Sequence, residues 1–164
     1  LLTHGHGDHV AGIPALREAY PELRVLCPAG DAHMLTDPQA NLSAQFGWPL
    51  DAGGEPDELV RPGDVLRIAG AEWHVLDTSG HSPGGVSYYC PPAGAVLCGD
   101  ALFAGSIGRT DVPGADAATL LRNIREQLLR LPDDTRVLPG HGPKTSIAAE
   151  RQQNPFLQGP PLTL

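Results

Sequence analysis

Six consecutive positions near the start of the chain, His4-Gly5-His6-Gly7-Asp8-His9, carry three imidazoles and a carboxylate with only glycine between them. Such a stretch is a ligand shell, not a helix or a core strand. Neutral imidazole and carboxylate suit zinc, iron or manganese, and with no thiolate present a closed structural zinc site is not expected. Open coordination, the condition for catalysis, is. Neighbouring side chains of an extended or turning segment point in different directions, so His4 and His6 can share one metal while Asp8 and His9 reach towards another point. A purification tag would lack the interleaved glycine and aspartate.

Around this stretch the composition is that of an ordinary globular chain. Its 164 residues, 41% hydrophobic, suffice for one domain with a real core, and we take residues 1–164 as a single domain. Nineteen acidic against 11 basic residues give a net charge of -8, the wrong sign for a nucleic-acid binder. No apolar run approaches the ~18 residues of a spanning helix, and no signal-peptide order is present, so no membrane role is expected. Cys27, Cys90 and Cys98 lack CxxC spacing and cannot all pair, which fits reduced thiols in a cytoplasmic protein. Asn41-Leu42-Ser43 matches a glycosylation acceptor, but without a secretory context it is discounted. Leu1-Leu2 reads as a strand end running at once into the ligand stretch, leaving no room for flanking elements. An N-terminal truncation is the expectation.

Along the chain, Ile13, Leu16 and Tyr20 recur at helical spacing before Pro21, and Arg24 to Cys27 reads as a strand. Ala29 to Leu35 suits a short helix, and Thr36 to Gly63 an irregular connection with Phe46 and Trp48 as isolated aromatics. Its length marks it as a candidate functional loop. Val65 to Ile68 and Glu72 to Leu76 suit a hairpin, and Gly85 to Cys90 and Ala95 to Cys98 two further strands. Asp116 can cap a helix that carries Leu120, Leu121, Ile124, Leu128 and Leu131 on one face and ends before Pro132. Arg136 to Leu138 is strand-like, and Ser146 to Gln153 suits a final helix.

Four times an apolar run ends in a turn bearing a metal-binding residue: His4 to His9, then His81, Asp100 and His141. One rim of a sheet system would collect them all. The ligand candidates are therefore His4, His6, Asp8, His9, His81, Asp100 and His141, enough for two ions with three private ligands each and one shared carboxylate. His33 and His74 are read as solvent-facing or satisfied, and Tyr88 and Tyr89 as strand residues with one face in the core.

At these residues the sequence resembles the metallo-β-lactamase superfamily, whose HxHxDH signature stands as His4 to His9, with matching Gly80-His81, Gly99-Asp100 and Gly140-His141-Gly142. Within it, Gly99 to Asp111 and Asn154-Pro155-Phe156-Leu157 are most similar to glyoxalase II-like (hydroxyacylglutathione hydrolase-like) enzymes of the short bacterial type. The resemblance implies an α/β (α+β) fold, the αββα sandwich of that superfamily, here missing its N-terminal strands and for that reason expected to be unstable alone. It assigns His4, His6 and His81 to a first metal and Asp8, His9 and His141 to a second, with Asp100 bridging. Zinc is the favoured metal, with iron or manganese as alternatives.

The implied activity is hydrolysis of a thioester such as S-lactoylglutathione, a small-molecule glutathione conjugate, by a metal-bridging hydroxide, with Asp8 and Asp100 as catalytic carboxylates. Metals bring the pKa of bound water to about 7 and polarise carbonyls. A thiolate, of free pKa about 8.5, departs without a strong general acid, whereas an amide nitrogen needs one. Many true lactamases carry Cys at the place of Asp100 or lack the second His of Asp8-His9, so lactamase activity is disfavoured. Arg109 stands where glyoxalase II enzymes place a basic residue for the glutathione carboxylate; bracing the loop through Asp111 or Asp116 is an equal reading. The helical C-terminal portion with which longer members grip glutathione is not expected in these 164 residues. A mononuclear iron persulfide dioxygenase, which shares the Gly108-Arg109-Thr110-Asp111 pattern, and a non-catalytic metal-binding domain are the alternatives.

Overall fold

A computed structural model describes residues 1–158. The ligand stretch does not stay extended, because Gly7–Val10 closes one helical turn (α1), and Ile13–Ala19, with Pro14 in its first turn, forms α2. Leu26–Pro28 (β1) runs into a 3-10 helix over Ala29–Leu35. The long connection holds two elements that its composition hid, a 3-10 turn at Ser43–Phe46 and the strand Glu58–Val60 (β2), which pairs parallel with β1. Pairing with β1, rather than any local alternation, makes β2 a strand.

Val65–Ile68 (β3) and Ala71–Asp77 (β4) form the expected hairpin through Ala69-Gly70, both with positive φ, as a two-residue turn requires. Val86–Cys90 (β5) and Ala95–Gly99 (β6) follow, then a small hairpin of Leu102–Phe103 (β7) and Ser106–Ile107 (β8). Asp116 caps as expected, its side chain accepting from Thr119 N–H at 2.7 Å. The helix it starts is not regular to Leu131. Ala117–Asn123 (α3) gives way to a π turn at Ile124–Leu128, after which Leu129 N–H reaches back to the Ile124 carbonyl at 2.9 Å. Arg136–Pro139 (β9), Thr145–Ser146 (β10) and Ile147–Gln153 (α4) complete the chain order.

The main sheet has the order β10-β9-β6-β5-β4-β3, antiparallel except for the parallel β6–β9 pair. Alternation along its strands divides the core. Val96, Cys98 and Val137 face Leu120, Ile124, Leu128 and Ile147 of the C-terminal helices. Val75, Val86 and Tyr88 face the opposite way, packing with Val60 of β2 and Leu26 of β1. The far side of β1 is covered by Val10 and Ile13, beside Leu35 and Ala52. Helices, small sheet, large sheet and helices thus lie in αββα order.

Leu1-Leu2 is not a strand. It is instead stapled between the two sheets: Leu2 N–H donates to Leu26 O at 2.9 Å, Val86 N–H donates to Thr3 O at 2.9 Å, and the Tyr88 hydroxyl donates to Leu2 O at 2.6 Å. This is what delivers His4 to the rim of the main sheet. Because β4, β6 and β9 all run in one direction, the loops after them carry His81, Asp100 and His141 to that same rim. Among the described residues no helix is long and apolar enough to cross a membrane.

Candidate metal centre

All seven residues singled out in the sequence converge. His4, His6 and His81 each bring one ligand atom into a group spanning no more than 4.8 Å, and Asp8, His9 and His141 form a second group on the same criterion. Asp100 lies between them, 3.7 Å from His81 Nε2, 3.6 Å from His141 Nε2 and 3.3 Å from His9 Nε2. The halves differ in exposure. His4, His6 and His81 are buried, whereas the side chains of Asp8 and His141 are 52% and 55% exposed. One half is buried, and the other is more exposed to solvent.

Local backbone explains the split. The glycines of the first stretch let His4 and His6 point inwards before α1 begins, and that single turn sets Asp8 and His9 on its outer side. Within the groups the contacts are short: His6 Nδ1 to His81 Nε2 is 2.9 Å, His9 Nε2 to His141 Nε2 is 3.2 Å, and His141 Nε2 to Asp8 Oδ2 is 3.0 Å. Gly140 makes room for this crowding, since a Cβ there would collide with Asp100 Oδ1 and His9 Cε1.

Among the described residues, three buried atoms of the centre have no hydrogen-bond partner: His4 Nε2, His6 Nε2 and Asp100 Oδ1. Asp100 Oδ1 stands 3.3 Å from His9 Nε2, outside the angular range of a good hydrogen bond. Orphaned buried lone pairs cost free energy that a cation would recover, and the donor set of nitrogen and carboxylate oxygen suits a divalent transition metal. Electrostatics agree. Burial, then repulsion from the other imidazoles, depresses His4 well below the usual histidine range, and burial and His81 bring His6 down to about 4. Both are neutral at pH 7, the state that ligates. Burial pushes His9 down, but Asp100 and Asp8 outweigh it and raise it; burial likewise pushes Asp100 up, and His9, His81 and His141 together hold it low.

A cleft of about 390 Å³ opens over the centre, lined by His6, Asp8, His81, Asp100 and His141 below and by Leu42, Phe46, Trp48 and Arg109 around the mouth. Phe46 and Trp48 are 62% and 41% exposed there, and Leu42 holds a left-handed φ of 67°. These residues come from the long connection whose length alone suggested function. Arg109 lines the cleft, and its guanidinium makes a bidentate pair with Asp111 at 2.7 and 3.0 Å, the contact that the bracing reading requires. Its backbone was missed: the Arg109 carbonyl accepts from His81 Nδ1 at 2.9 Å. Asn41 was discounted with reason, as its buried amide donates to Met34 O and Leu50 O. Among the described residues, His33 and His74 join neither ligand group.

A family model described as the metallo-beta-lactamase superfamily matches residues 1–141. The chain is 42% identical to the "probable metallo-hydrolase YqgX" of Bacillus subtilis over 97% of its length and 75% of the relative's. It is 35% identical to the hydroxyacylglutathione hydrolase GloC of Haemophilus influenzae, covering 96% and 74%. Among solved structures it superposes on the BLEG-1 B3 metallo-beta-lactamase with a TM-score of 0.92 at 40% identity, covering 96% and 76%. TTHA1623, crystallised in a di-iron-bound form, gives 0.83 at 41% identity, covering 95% and 75%. ETHE1 from Myxococcus xanthus gives 0.74 at 32% identity, covering 93% and 59%.

Proposed function

Since the chain belongs to the metallo-beta-lactamase superfamily, we propose that it is a dinuclear metallo-hydrolase that cleaves a thioester, with a glutathione conjugate such as S-lactoylglutathione as its substrate. The observation that carries this is the central carboxylate. Asp100 is within 3.7 Å of a ring nitrogen in each of the two ligand groups, and one of its buried oxygens has no hydrogen-bond partner. In this reading His4, His6 and His81 hold one ion, Asp8, His9 and His141 the other, and Asp100 serves both. When bound, such ions polarise a carbonyl and make water acidic enough to be deprotonated near neutral pH. Zinc is the metal we assign, and the di-iron form of TTHA1623 keeps iron as the second choice.

The chain's own groups supply the rest. Neutral His4 and His6 leave their lone pairs free, and all three imidazoles of that half are buried. Asp8, half-exposed at the cleft floor and 3.0 Å from His141 Nε2, is placed to accept a proton on the open side. Among the described residues, the cleft floor is made of the candidate ligands themselves, with no further side chain there to protonate a leaving amine. A thiolate leaving group does without one. Phe46, Trp48 and Leu42 offer an apolar wall to the thiol carrier, and Arg109 a cation to its carboxylate. The likeness to GloC, whose name states hydroxyacylglutathione hydrolysis, supports the same substrate.

The test is hydrolysis of S-lactoylglutathione by protein with two equivalents of zinc, by chelator-treated protein, and by protein reloaded with metal. Turnover that disappears with the metal and returns with it supports the proposal; none in any state, with two metals bound, rejects it. A second reading has one observation in its favour. His4, His9 and Asp100 also gather ligand atoms within 4.8 Å, a two-histidine, one-carboxylate set like that of non-haem iron oxygenases. Oxygen uptake with glutathione persulfide by protein holding a single iron would decide for a persulfide dioxygenase.

A further inference from the structure

Behind the buried ligand group lies a carboxylate that no part of the chemistry above uses. Asp31, fully buried in the 3-10 helix that follows β1, accepts from Gly5 N–H at 3.1 Å and from the Ser82 hydroxyl at 2.6 Å on one oxygen. Its other oxygen accepts from Gly84 N–H at 2.6 Å. Gly5 stands between His4 and His6, and Ser82 follows His81 directly. Through this one side chain, two segments some 75 residues apart, which between them carry all three buried imidazoles, are tied together.

We propose that Asp31 is a positioning residue that sets the spacing of His4 and His6 against His81, and so the affinity and geometry of the metal held there. The inference rests on the metal-holding part of the function proposed above and is independent of the substrate. A buried carboxylate is expensive unless its lone pairs are filled, and here three donors fill them. The backbones are correspondingly close: a Cβ on Gly30 would stand 2.7 Å from Gly84 Cα, and one on Gly5 2.7 Å from Met34 Cβ. The three segments therefore cannot be brought nearer, and the carboxylate keeps them from drifting apart. Groups that orient ligands from behind in this way alter metal affinity by roughly 10- to 100-fold when removed.

Asparagine cannot replace this carboxylate. Its amide would have to face either Gly84 N–H or the Gly5 and Ser82 donors, setting donor against donor. The experiment compares wild type, Asp31→Asn and Ser82→Ala, each stripped and titrated with zinc against a chromogenic chelator, then loaded with cobalt for its visible spectrum. The melting temperature of the stripped proteins is recorded beside them. Expected are a tenfold or greater loss of affinity for one equivalent in Asp31→Asn, a smaller loss in Ser82→Ala, and a changed cobalt spectrum in both. A purely structural role would lower the melting temperature while zinc affinity and the cobalt spectrum stayed as in wild type, and that result overturns the proposal. Should Asp31→Asn not fold, Ser82→Ala decides alone on the same criteria. Wild type that takes up no metal would instead refute the metal-holding reading itself, and this inference with it.

Discussion

His81 Nδ1 donates a 2.9 Å hydrogen bond to the carbonyl oxygen of Arg109. A carbonyl only accepts, so Nδ1 carries the proton and Nε2, the nitrogen facing His6 and Asp100, is left with its lone pair. The segment that supplies the cationic rim of the cleft therefore also selects the tautomer of a candidate ligand. Backbone and side chain of one residue have separate roles.

That separation makes Arg109→Ala informative. The carbonyl remains, so His81 keeps its orientation, while the guanidinium and its pair with Asp111 are removed. KM for a glutathione thioester should rise roughly tenfold with kcat within about twofold, the pattern of lost uniform binding. Steady-state kinetics with melting temperatures check it; unchanged KM with a lower melting temperature would leave the arginine as a loop brace only.

Removing the shared carboxylate should act on both halves. Asp100→Ala is expected to lower zinc content from two equivalents towards none and turnover by roughly 100-fold or more, because each ligand group loses its common member. His4→Ala should empty mainly the buried half. Metal analysis of saturated, folded samples reads this out, and a single equivalent in wild type would contradict the two-ion arrangement.

The metal-free protein should lose stability in acid through His6. Its folded pKa of about 4 lies below the unfolded value near 6.5, so between these values the unfolded chain binds a proton that the folded one refuses. Stability contributed this way is full above about pH 6.5 and falls as pH drops towards 4; His4, shifted in the same direction, adds to it. His9, whose pKa is raised, works oppositely, its contribution being present in acid and lost as pH rises through its folded value. Melting temperatures of stripped protein from pH 4 to 8 should therefore climb up to about pH 6.5, and more weakly so in His6→Gln.

Much of this centre was legible because its ligands announce themselves: imidazole and carboxylate beside glycine, each at the end of an apolar run. The strands bearing them were legible for the same reason, being bounded by glycine and proline. What stayed hidden depends on distant pairing. Glu58–Val60 is a strand only because β1 lies beside it, and Asp31 reads as an ordinary acidic residue in a first turn until Gly5, Ser82 and Gly84 are folded around it. The π turn at Ile124–Leu128 keeps the same apolar spacing as a regular helix, so the pattern could not reveal it.

The aromatic mouth gives a prediction about substrate size. Trp48 and Phe46 expose large apolar surface beside the centre without touching it as ligands. Trp48→Ala should raise KM for thioesters with bulky carriers several-fold, leave metal content at wild-type level, and alter little for a small thioester; equal effects on both substrates would refute a binding role for this wall.

The last prediction concerns a residue with no side chain. Gly140 follows β9 and precedes His141, with its Cα packed against Asp100 and His9 so closely that a methyl group has no space. In Gly140→Ala the new Cβ must displace Asp100 Oδ1 or the His9 ring, and the chain cannot retreat freely, since Gly140 N–H is bonded to Gly99 O at 2.8 Å. Either displacement moves a group shared by, or belonging to, the open half of the centre, while His4, His6 and His81 keep their places. We therefore expect Gly140→Ala to fold, to retain about one equivalent of zinc, and to lose activity by roughly 10- to 100-fold. Gly142→Ala is the control: an added Cβ there meets nothing within 4 Å, although its φ of 75° imposes some backbone strain. Metal analysis and thioester kinetics on the pair separate the cases. Equal loss of metal in both variants would mean that loop strain, and not the collision with Asp100 and His9, sets the requirement for glycine at position 140.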